Sequence, residues 1–64
     1  MKLHIPDMSS GHCVATIEKA IKAEDPSATV RPDLRARTVE IETSVSSAAL
    51  IAALEGVGYP STAL

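Results

Sequence analysis

Cys13 is the only cysteine of the chain, and Met8, Ser9, Ser10, Gly11 and His12 lead into it. A thiolate, an imidazole and a thioether in so short a stretch are donors that suit a soft metal ion. One thiolate is not enough for such an ion, which wants at least two soft ligands. Function therefore turns on what supplies the rest of the coordination shell.

The donors differ in quality. Cys13 would sit in the first turn of a helix, where the positive end of the dipole favours the thiolate. Its alternative role is a small apolar residue filling space under the loop. His12 adjoins it and could give a nitrogen, or could be a solvated histidine at an exposed helix start. Ser10 reads as a helix N-cap; a neutral hydroxyl is a hard donor and a poor ligand for a soft ion. Met8 could offer its thioether but reads better as a core plug beneath the loop. His4 falls on the open face of a strand, with Glu40 expected near it. Arg31, Arg35 and Arg37 form a basic patch, either a solvated edge that discourages sheet pairing or a docking patch for an acidic partner. No Ser/His/Asp set, carboxylate pair or phosphate-cradling loop stands out, so no enzyme is expected.

The elements that must position these residues follow from the pattern. Lys2-Leu3-His4-Ile5 alternates as a short strand with Leu3 and Ile5 inward. Pro6-Asp7 ends it, and Ser10 starts a helix carrying Val14, Ile17, Ala20 and Ile21 on one face. Glu18 and Lys22 add an i,i+4 pair on its wet side. Glu24-Asp25-Pro26 stops the helix. Residues 28–32 read as a strand interrupted by Pro32, 33–37 as a polar turn, and 38–42 as the cleanest strand. Ser46 or Ser47 caps a second helix with Leu50, Ile51 and Leu54 inward. Gly56 and Gly58 end it, and Tyr59 to Leu64 makes a last short strand.

The order βαββαβ, with right-handed crossovers, predicts an α+β fold. It is the ferredoxin-like sandwich: a four-stranded antiparallel sheet with both helices on one face. The first and third strands should be central. Pro32 and Pro60 support this, since both lie in or beside the proposed edge strands, where a missing N–H is tolerated. Met8, Val14, Ile17, Ile21, Val30, Val39, Ile41, Leu50 and Leu54 should be buried.

Composition bounds the rest. The 64 residues are expected to form one domain, 1–64, of modest stability, with Tyr59 the only aromatic. A net charge of −2 with interspersed signs argues against a nucleic-acid surface. No apolar run reaches the ~20 residues of a membrane span, and Met1 to Pro6 has no hydrophobic region of the length a secretory leader needs. A lone thiol excludes an internal disulfide framework. A reducing cytoplasm is the expected setting.

The segment Pro6-Asp7-Met8-Ser9-Ser10-Gly11-His12-Cys13-Val14 resembles the metal loop of the heavy-metal-associated domains, bacterial copper chaperones in particular. Ile17, Glu18, Lys19 and Ala20 continue the helix in that family's style. Leu50-Ile51-Ala52-Ala53-Leu54-Glu55-Gly56-Val57-Gly58-Tyr59 resembles its second helix and Gly-Tyr turn. The likeness covers essentially the whole chain. The family's loop is Met-x-Cys-x-x-Cys; its second thiol falls on Cys13 and its first on Ser10, where it is absent. The resemblance implies a copper(I) carrier handing its ion to a copper-transporting P-type ATPase or a copper sensor. It also implies that Tyr59 lies close to the loop. The shell beyond Cys13 could come from His12, from a small thiol such as glutathione, or from a second chain in a metal-bridged homodimer. Other soft ions fit the same donors. The contrasting possibility is a metal-free interaction module that keeps the fold and docking surface.

Overall fold

The computed structural model describes residues 1–64. Its elements run β1 (Lys2–His4), α1 (Gly11–Glu24), β2 (Thr29–Asp33), β3 (Thr38–Glu42), α2 (Ser47–Gly56) and β4 (Thr62–Ala63). The strands form one sheet in the order β2-β3-β1-β4, with every neighbouring pair antiparallel. The central strands are therefore β1 and β3, as the proline positions require.

Alternation sorts the strand residues between two faces. Leu3, Val39 and Ile41 point inward, where Ile17 and Ile21 of α1 and Leu50 and Leu54 of α2 meet them. Met8, from the β1–α1 loop, is fully buried in the same core. The loop is thus pinned from beneath by an apolar side chain, while the backbone around it stays at the surface.

Several expectations need correction. Val14 and Val30 are only half-buried and pack against the core from outside. Val30 sits on edge strand β2, and Val14 follows Cys13 at the open end of α1, so each is covered from one side only. The strand expected at 28–32 lies one residue later. Ala28 is buried, but its N–H bonds to the Asp25 carbonyl in the turn that precedes β2. The last strand is far shorter than 59–64, because Tyr59 is tied to Leu54 in the turn that caps α2. Glu40 stands opposite Lys2 and Arg31, whereas His4 faces Thr38 and Thr62. Of the basic residues, Arg31 approaches Glu42 at 3.9 Å, and Arg37 turns back toward Pro6.

Asp25 secures the far end of α1. Its carboxylate accepts from the Thr43 hydroxyl at 2.6 Å and from the Ser27 hydroxyl at 2.7 Å and N–H at 3.0 Å. Those bonds hold its pKa below the usual carboxylate value, Thr43 contributing most.

Candidate metal centre

Ser10 has the extended backbone of an N-cap, φ −149° and ψ 167°, and α1 begins at the next residue. Its hydroxyl oxygen accepts the Cys13 N–H at 3.4 Å, satisfying one of the orphan donors of the first turn. The same hydroxyl donates its proton toward Cys13 Sγ, also at 3.4 Å. The N–H···O contact is long and so weak, whereas 3.4 Å is an ordinary separation for a hydroxyl donating to the larger sulfur atom. Together they bind the cap residue to the thiol on both its backbone and its side chain.

Tyr59 reaches this spot by a different route. At the end of α2 the Tyr59 N–H bonds to the Leu54 carbonyl at 2.9 Å and the Gly58 N–H to the Glu55 carbonyl at 3.1 Å. This is the Schellman pattern, and Gly58 supplies the left-handed residue it needs, with φ 89°. The motif throws Tyr59 back over its own helix, half-buried against the core, with its phenol facing Cys13.

The Ser10 hydroxyl is bonded to the thiol, and the Tyr59 hydroxyl lies close enough to act on it. The thiol pKa falls from 9.0 to about 6, through the Ser10 hydroxyl first and the Tyr59 hydroxyl second. Backbone N–H groups of Ser9 and Ser10 add to this, and burial opposes it. The Tyr59 phenol is pushed up in turn, chiefly because it donates to Cys13, with the Asp7 charge a minor contributor. Cys13 is half-exposed, so the sulfur is activated and accessible together.

The sequence-derived donors do not all converge. His12 is exposed on the first turn, and its carbonyl accepts the Thr16 hydroxyl at 3.2 Å. No three His, Cys, Asp or Glu side chains cluster anywhere in the fold. Met8 lies in the core and Ser10 is engaged as the cap. His4 is the last residue of β1 and pairs with Thr38 and Thr62. A polar depression of about 330 Å³ on the open sheet face is lined by Lys2, Arg31, Pro32, Asp33, Thr38 and Glu40 and shares no residue with the loop. Arg37, which sequence reasoning placed only in a surface patch, contacts the start of the loop.

Comparison with known proteins bears on what this arrangement is. The profile of the heavy-metal-associated domain matches residues 2–60. A gold binding protein of known crystal structure is 44% identical, with a TM-score of 0.92 over 95% of this chain and 94% of that one. The copper chaperone Atx1 of Synechocystis PCC6803, in a trimeric form, is 29% identical with a TM-score of 0.94 over 97% and 98%. Oxidised MerP from Ralstonia metallidurans CH34 is 27% identical with a TM-score of 0.75 over 95% and 89%. No curated protein matches the chain.

Proposed function

Because the chain belongs to the heavy-metal-associated domain family, we propose that it is a carrier of a single soft metal ion, copper(I) foremost, held by the Cys13 thiolate. One observation carries the reading: an accessible thiol at a helix N-terminus, with the Ser10 hydroxyl bonded to it and Tyr59 close by, and with a pKa lowered to about 6. At neutral pH most of that sulfur is thiolate, the form that binds metal. A similar gold binding protein and a similar copper chaperone support the soft-ion assignment.

Ser10 shapes the site instead of ligating. Its oxygen already accepts one hydrogen bond and donates another to the sulfur. The chain thus offers half a coordination shell, and the other half comes from outside. A second copy meeting loop to loop would bring a second Cys13, with two His12 imidazoles beside the pair; such an interface is isologous. Glutathione would serve as well, and in a reducing cytoplasm it is the rival ligand. A half-filled shell suits a carrier, since an incoming thiolate from a copper-transporting P-type ATPase or a copper sensor can enter as the outgoing one leaves. The protein acts by binding and release and not as an enzyme.

The test is a copper(I) competition titration against a chromophoric chelator, on wild type and Cys13→Ser. The wild type should withdraw copper and the variant should not. Absence of binding by wild type, with or without glutathione, would point instead to a metal-free interaction module.

A further inference from the structure

Arg37 has a backbone conformation that its side chain does not favour. Its φ is 56°, and it is the only non-glycine residue with a positive φ. It closes the hairpin between β2 and β3, where Asp33 pairs with Thr38 and the Asp33 carboxylate accepts the N–H groups of Arg35 and Ala36. A left-handed residue at the end of such a turn is ordinarily glycine, because a Cβ there meets the backbone. Strain of this kind persists only where the surroundings fix it, and it clusters at functional sites.

What fixes it is the start of the metal loop. The Arg37 carbonyl accepts the Ile5 N–H at 2.8 Å, and the guanidinium Nη1 donates to the Pro6 carbonyl. The side chain has no carboxylate within ion-pair distance; the one ion pair of the fold joins Arg31 and Glu42. Arg37 thus spends its cation on a neutral carbonyl 31 positions away in sequence. That carbonyl belongs to the peptide leading into Asp7, whose charge is felt at Tyr59. Further along, the Met8 N–H bonds to the Ile5 carbonyl at 3.0 Å, and Ser10 caps α1. Without the clasp, the stretch between Ile5 and buried Met8 would be held at its two ends only.

We propose that Arg37 is a positioning residue for the metal loop, its left-handed backbone and guanidinium together clasping Ile5 and Pro6 so that the segment carrying Cys13 keeps one conformation. The inference rests on the reading of this loop as the metal-binding one. Its test on metal-free protein is independent of whether copper binds.

The test compares Arg37→Gly, Arg37→Ala and Arg37→Lys with wild type by amide hydrogen exchange and chemical denaturation. Both variants keep the Ile5 N–H bond to the residue 37 carbonyl and lose the guanidinium bond to Pro6; glycine also relieves the strain, and alanine keeps it. Exchange at Met8, whose N–H bonds to the Ile5 carbonyl, should quicken about three- to tenfold in both, the change that loss of one exposed hydrogen bond to a charged group allows. Exchange at Ile41 in the core should not quicken in Arg37→Gly, whose denaturation midpoint should equal or exceed that of wild type. Arg37→Lys, which keeps a cation on a flexible stem, should recover part of the protection. Wild-type exchange at Met8 in Arg37→Gly would overturn the proposal. So would a rise spread evenly over loop and core.

Discussion

Replacing Ser10 by cysteine should convert an intermolecular metal site into an intramolecular one. Ser10 Oγ and Cys13 Sγ stand 3.4 Å apart and face each other across the first turn of α1. A sulfur in place of that oxygen would be close enough for both to hold one ion after a small rotamer adjustment. The second thiolate would then arrive at an effective concentration set by the loop, not by the surrounding solution. Gains of about 10²–10⁴ in apparent affinity are usual when a second contact becomes intramolecular. The substitution also removes the cap. Losing an N-cap hydroxyl costs ~0.5–2 kcal/mol, and the 3.4 Å bond to the Cys13 N–H places this one near the lower end. Ser10→Cys should therefore be slightly less stable without metal, bind copper(I) far more tightly against a chelator, and remain monomeric when loaded. Ser10→Ala should show the stability loss without the affinity gain. Unchanged affinity in Ser10→Cys would refute the idea that this side chain faces the ion.

Three further outcomes follow from the same geometry. The rate of Cys13 alkylation should rise with pH through a midpoint near 6, and Tyr59→Phe should move the midpoint upward; a wild-type midpoint at the free-thiol value would remove the basis for an activated sulfur. Because the folded thiol titrates at about 6 and an unperturbed thiol at 9.0, its contribution to stability is fully present above about 9 and is lost as pH falls through 6. Urea unfolding of wild type relative to Cys13→Ser should thus show stability rising with pH across that window, and a falling difference would contradict the assigned hydrogen bonds. Leu54→Ala, which empties a fully buried position on the inner face of α2, should cost ~2–5 kcal/mol and leave so small a domain largely unfolded by circular dichroism.

Much of the scaffold was legible because its signals are local. Val39 and Ile41 alternate with Thr38, Glu40 and Glu42, and β3 falls on those residues. Ser10 and Ser46 are caps that the helices use. Sheet order followed from chain order, handedness and Pro32. The misplaced features depend on tertiary context. Whether Val14 and Val30 are covered depends on what lies beyond the edge strand and the helix start, and their own side chains do not say. Tyr59 was expected near the loop only through family likeness; what brings it there is the Gly58 turn, a C-cap whose direction no spacing reveals. His4 and Glu40 were set adjacent by an assumed register, and the actual register pairs Glu40 with Lys2. Arg37 carried no signal at all, since an arginine in a polar turn looks solvated and its left-handed backbone is not written in its type.

The central claim is that Cys13 provides half of a soft-metal site and a second thiol completes it. Native mass spectrometry of copper(I)-loaded protein reads this directly, because it reports chains, metal and small thiols in one species. Without added thiol the wild type should appear as two chains sharing copper, and chelator should return it to metal-free monomer. With glutathione a single chain carrying copper and bound glutathione should replace the dimer. Cys13→Ser should show neither species. A copper-loaded wild-type monomer free of small thiol, or full loading of Cys13→Ser, would contradict the account.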